Sequence, residues 1–120
     1  MAKNLEIAML LDFYGDMLTE KQRDFLEYYY NDDFSLSEIA ENEGITRQGV
    51  RDAIKRAETQ LLDMESKLGV AKRFEEMRSG LNEIIEFSNQ IAEYNLRHGL
   101  SREINDYSVR IKAAAMTMLE

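Results

Sequence analysis

Apolar side chains recur every three or four positions along almost the whole chain, the spacing that places one stripe on one face of an α-helix. Ile7, Leu10 or Leu11, Tyr14 and Leu18 follow it in a first segment, Leu5 to Met17. Thr19-Glu20-Lys21-Gln22 then has the form of a capping box. There the first hydroxyl accepts from the amide three residues on, while Gln22 reaches back to the cap. The helix so opened is predicted to run to about Tyr30 with Phe25, Leu26 and Tyr29 inward. Asn31-Asp32-Asp33 breaks it, because short polar side chains compete for the backbone. A second box, Ser35-Leu36-Ser37-Glu38, opens a short helix carrying Ile39 and Ala40, and Gly44 suits the left-handed position that ends it. Thr46 caps a longer helix whose apolar positions, Val50, Ile54, Ala57, Leu61, Met64 and Leu68, alternate in steps of four and three up to Gly69.

The last fifty residues keep the same habit. Phe74, Met77, Leu81, Ile84, Ser88, Ile91 and Asn95 form one seam, with Gly80 expected to kink or split its helix and His98-Gly99 to end it. Ser101 caps a final segment with Leu100, Ile104, Tyr107, Ile111, Ala114 and Met118 in step. The pattern predicts an all-α protein: a domain over 1–69 and a helical extension over 70–120. Three seams in heptad-like spacing call for partners. The expectation is a homodimer through the C-terminal helices, with an intrachain hairpin as the plainer alternative.

Composition supports helix. The 120 residues include no proline, and 32% are Asp, Glu, Lys or Arg, so nothing locks φ or deletes a backbone donor. There is no cysteine, which removes disulfides and thiolate metal sites. The longest apolar run, Ile7 to Leu11, is five residues, far short of the roughly 18 or more of a membrane span. With charged residues flanking that run, no signal peptide is expected, and the default compartment is the cytoplasm.

Charge changes the picture more. Acidic residues number 23 against 15 basic, net −8, which repels a polyanion at long range. Residues 1–70 hold 8 basic and 15 acidic side chains, net −7; residues 71–120 hold 7 and 8, net −1. Between Gly44 and Ala57 the balance reverses: Arg47, Arg51, Lys55 and Arg56 face only Asp52, net +3.

That basic stretch falls within a helix-turn-helix pattern. The motif needs a small residue for close helix crossing, a residue tolerant of positive φ in the turn, and apolar pins for the second helix. Ala40, Gly44 and the set Ile39, Ile45, Val50 and Ile54 supply these. Thr46, Arg47, Gln48, Arg51 and Lys55 are left pointing outward. Arg47, Gln48 and Arg51 suit bidentate contacts to base edges. Thr46 at the helix start, with Lys55 and Arg56, suits phosphate. The same side chains could equally form a solvated face of a protein-interaction module.

The stretch LLDFYGDMLTEKQRDFLEYYYNDDFSLSEIAENEGITRQGVRDAIKRAETQLLDMESKLG, residues 10–69, closely resembles the YlxM family of small bacterial helix-turn-helix proteins. LTEKQRDFLEYYY and SLSEIAENEGITRQGVRDAIKRA are also similar, more loosely, to region 4 of bacterial sigma factors. The resemblance implies a non-enzymatic regulator that binds DNA or RNA. Gene neighbourhood links that family to the signal recognition particle pathway. The alternative it implies is an adaptor docking on a signal recognition particle subunit or on RNA polymerase. The chain departs from the family at Gly49 and Arg51, where alanine and an aromatic are common. Gly49 inside a reading helix costs about 1 kcal/mol relative to alanine.

Other chemistry finds little footing. Tyr28-Tyr29-Tyr30 could stack on single-stranded RNA, but consecutive helical residues point in different directions, which favours a core Tyr29 with two amphipathic neighbours. No Glu-x-x-His pairing accompanies the single histidine, His98, so a di-metal bundle lacks ligands. His98 is read as meeting the C-terminal helix dipole. There is no cysteine nucleophile, no glycine-rich phosphate loop and no serine set with a histidine and carboxylate. No enzymatic activity, cofactor or metal is expected.

Overall fold

A computed structural model describes residues 3–120, and all of its regular elements are helical. In order these are α1 (Leu5–Tyr14), a 3-10 turn (Gly15–Met17), α2 (Glu20–Leu26) running into a π-helical turn (Glu27–Asn31), α3 (Leu36–Glu43), α4 (Arg47–Leu68), α5 (Val70–His98) and α6 (Arg102–Leu119). The all-α class is therefore correct. The chain divides into two compact units, Met1–Lys72 and Arg73–Glu120.

In the first unit α4 is the central post, with α1, α2 and α3 each packed on it. Its seam residues Val50, Ile54, Ala57 and Leu61 are fully buried against Ile7, Leu10, Leu26 and Ile39 from the other three helices. That seam finds its partners within the chain as far as Leu61, with Met64 partly buried and Leu68 exposed at its end. Both capping boxes form: Thr19 accepts from the Gln22 amide at 3.2 Å, and Ser35 from that of Glu38 at 3.1 Å. Tyr29 is buried while Tyr28 and Tyr30 are half-buried. The Tyr30 hydroxyl donates to Glu58 at 2.6 Å, and burial together with that carboxylate pushes its pKa well above the usual phenol value. Asp33, at φ 57, ends the α2 region.

The α4–α5 corner rests on one carboxylate. Gly69 turns left-handed at φ 62 and frees the first amides of α5. Glu65 accepts from the amides of Ala71 (3.1 Å) and Lys72 (2.9 Å), and the Tyr14 hydroxyl donates to it at 2.5 Å while accepting from the Val70 amide at 3.1 Å. A negative charge at a helix N-terminus is favoured by the dipole and satisfies donors that have no intrahelical partner.

The second unit is a helical hairpin. Its helices face one another through a thin line of mostly small or polar side chains: Leu81, Ser88 and Asn95 from α5, Ser108 and Ala115 from α6. The Asn95 side chain grips the connection, accepting from the Ser101 amide (2.9 Å) and donating to its carbonyl (2.7 Å). Gly80 does not split the helix: α5 is continuous through it. Most of the two predicted seams stays in solvent, including Ile84, Ile91, Ile104 and Ile111.

Candidate nucleic-acid interface

The turn between α3 and α4 sets the geometry. Gly44 takes φ 69, a conformation costly for a side chain bearing Cβ, and its amide closes back on Ala40. Ala40 is buried, so the two helices approach closely there. Thr46 caps α4 by accepting from the Gly49 amide at 2.9 Å. Ile45, expected as a pin, is instead partly exposed at the turn. Ile39, Val50 and Ile54 hold α4 without it.

With that side fixed, Arg47, Gln48, Arg51, Lys55 and Arg56 are all exposed. Arg47, Gln48 and Arg51 come together around a shallow hollow of about 370 Å³, whose fourth wall is Leu36 of α3. Gln48 donates to Asp52 at 3.0 Å, one turn further on. Arg56 does not join them. It lines a separate groove with Lys21, Gln22 and Phe25 of α2 and with Ile45, Gly49 and Ala53. Lys21 beside Arg56, and Leu36 beside Arg47, were not singled out from the sequence; pairings across helices leave no spacing signal in one segment.

Ion pairing separates the cations of residues 3–69 into two groups. Lys3, Lys21, Arg23 and Lys67 pair with Asp33, Glu43, Asp16 and Asp63 respectively. Among the described residues, Arg47, Arg51, Lys55 and Arg56 pair with no carboxylate. All four lie within ten residues of α4, on the helix that follows the turn.

Among the described residues no three His, Asp or Glu side chains are grouped to hold a metal ion, and no helix is long and apolar enough to cross a membrane.

A short capped helix, a left-handed glycine turn and a second helix presenting an unpaired basic face define a helix-turn-helix protein. Comparison with known proteins agrees. The family described as "Putative helix-turn-helix protein, YlxM / p13 like", UPF0122, matches residues 1–101. A UPF0122 protein of Desulforamulus reducens is 48% identical over 80 residues, 67% of this chain and 68% of its own. One from Caldanaerobacter subterraneus is 50% identical over 82 residues, 68% and 70% of the two chains. One from Clostridium kluyveri is 43% identical over 98 residues, 78% and 88%. The chain belongs to the UPF0122 family.

Proposed function

We propose that this protein is a nucleic-acid-binding regulator that reads duplex DNA through α4. Arg47, Gln48 and Arg51 face base edges, while Thr46, Lys55 and Arg56 position the helix on phosphates. The observation that carries this reading is the segregation of ion pairs. Between residues 3 and 69, the four cations left without a carboxylate are those on the outer faces of one helix. Carboxylates pair with Lys3, Lys21, Arg23 and Lys67, and overall repulsion at net −8 makes the patch a short-range feature. Because Thr46 already accepts from Gly49, its contribution to phosphate comes from the free amides at the start of α4. A module with so few contacts binds weakly alone, so two copies act together, joined through the C-terminal helices. The family resemblance supports a place in the signal recognition particle pathway, in the cytoplasm.

Fluorescence anisotropy on labelled duplexes tests the reading. Each phosphate neutralised contributes about −0.9 to the slope of log affinity against log salt. Lys55 and Arg56, the two cationic phosphate contacts, give about −1.8. Replacing Arg47 and Arg51 together by alanine is expected to abolish sequence preference and weaken binding, while the slope set by Lys55 and Arg56 remains. Unchanged binding by that double variant, with helicity intact, rules out the assignment. Salt-insensitive binding to a signal recognition particle subunit or RNA polymerase, with none to DNA or RNA, would favour the adaptor reading instead.

A further inference from the structure

The second unit buries little of its own apolar surface. On α5, Met77, Ile84, Phe87, Ile91 and Tyr94 are between 44 and 68% exposed. On α6 the same holds of Ile104, Tyr107, Ile111 and Met118, between 45 and 64%. These stripes share one face of the hairpin, because Phe87, Ile91 and Tyr94 line a common cavity of about 710 Å³ with Ile104. The reverse face mixes Asn82, Asn89 and Lys112 with Ile85, Met116 and Leu119 around a smaller hollow.

A large apolar side chain presents roughly 150–200 Å² when free, so nine half-exposed ones leave on the order of 700–900 Å² uncovered. That exceeds the roughly 300–600 Å² patch of an ordinary monomer and matches the about 800 Å² each partner contributes to a standard interface. The periodicity indicates what covers it. Met77, Ile84 and Ile91 are seven residues apart, as are Ile104, Ile111 and Met118. Heptads on two antiparallel helices are met by two more helices of the same repeat, as in a four-helix bundle. A second copy supplies them.

We infer that the apolar faces of two such hairpins pack against each other about a two-fold axis, closing a four-helix bundle with the two hairpin turns at opposite ends. The cavity sets the direction. It lies at the turn end, where His98 and Gly99 also line it. A partner with its turn at the same end would lay its own concavity over this one and leave a void. The opposite direction brings in Met77 and Met118, whose flexible thioethers fill irregular space and contact aromatic rings well. Phe87 and Tyr94 provide those rings.

This deepens the two-copy part of the function proposed above, and it is tested without nucleic acid. Sedimentation of the full chain at tens of micromolar, the range of ordinary weak dimers, is expected to give a dimer. Ile91→Glu, exposed in the single chain and so harmless to helicity, is expected to weaken it at least about 100-fold by burying an unpaired charge. A monomeric parent, or a dimeric Ile91→Glu, overturns the inference and leaves the α4 charge patch untouched. Direction is read by disulfides, since the chain has no cysteine of its own. At 1.5 Å per residue, Tyr94 and Met118 lie roughly 18 Å apart along the hairpin, too far to bridge within one chain. The Tyr94→Cys, Met118→Cys double variant is therefore expected to oxidise to a covalent dimer, and neither single variant is. Cross-linking of Tyr94→Cys alone, or none in the double variant, overturns the opposed arrangement.

Discussion

Gly49 sits at the third position of α4, where its amide donates to the Thr46 hydroxyl, and its replacement by alanine tests how α4 is built. Two effects compete. Alanine is better than glycine in a helix by about 1 kcal/mol. Against this, the new Cβ would lie 3.1 Å from Thr46 Oγ1 and 3.7 Å from Ile45 Cδ1. The close approach to the cap oxygen is the adverse contact, and the chain itself indicates its size. Gln22 and Glu38 occupy the same position relative to Thr19 and Ser35, carry full side chains, and still donate to the capping hydroxyl at 3.2 and 3.1 Å. The Thr46 hydroxyl has the same room to move, by a few tenths of an ångström. Helix propensity therefore wins, and Gly49→Ala is expected to stabilise the first unit by about 0.5–1 kcal/mol. For a domain of this size that raises Tm by about 2–8 °C. Gly44→Ala is the internal control: at φ 69 the same added methyl is expected to cost about 1–2 kcal/mol. Calorimetric melting of the full chain reads both, since it separates transitions of the two units. Because position 49 faces the Lys21–Arg56 groove and not the Arg47–Arg51 hollow, DNA affinity should not fall. A lower Tm for Gly49→Ala would refute the reasoning and show that the Thr46 cap cannot yield.

Other changes probe the corners of the fold. The hydrogen bond from Tyr14, then the Ala71 and Lys72 amides and the Lys72 charge, hold the Glu65 carboxyl below the usual carboxylate range against a smaller desolvation penalty. A depressed folded pKa stabilises above the unfolded value and is lost as pH falls through the folded one. Glu65→Gln should therefore lower Tm at pH 7 and shrink the acid-side loss, which parallel melts at neutral and acid pH would show. Burial first, then Glu65, raises the Tyr14 pKa, so its contribution is present below pH 10 and fades as the pH rises beyond that. Tyr14→Phe should remove this alkaline component. At the hairpin connection, Asn95→Ala leaves the Ser101 amide and carbonyl without their partner and should cost about 1–3 kcal/mol. Leu100, exposed at φ 49, should gain about 1 kcal/mol on replacement by glycine; both effects are read as shifts of the second unit's melting transition.

The parts of this fold that could be read from sequence are those fixed by neighbours in the chain. A capping box is a four-residue device, so Thr19 with Gln22 and Ser35 with Glu38 announced their helix starts directly. Gly44 and Gly69 did the same for two helix ends, because a left-handed residue selects glycine locally. Periodicity gave the inner face of α4 for the same reason. What it could not give is the partner of a stripe. The α4 seam and the α5 seam have the same spacing, yet three helices bury the first and the second lies largely open. Ile45 illustrates the limit at one residue: β-branched and adjacent to the turn, it has the identity of a pin, but only the path of α2 decides that it stays half outside. The π-helical turn at Glu27–Asn31 and the Tyr14–Glu65 latch likewise depend on groups brought together across helices. The candidate interface divides in the same way. That Arg47, Arg51, Lys55 and Arg56 cluster is evident from the sequence. That they stay without carboxylates while Lys3, Lys21, Arg23 and Lys67 do not depends on where Asp33, Glu43, Asp16 and Asp63 fall in space. Net charge over the segment cannot distinguish a patch available to phosphate from one already neutralised. The distribution of ion pairs can, and it leaves Arg47, Arg51, Lys55 and Arg56 available on the helix that follows the turn.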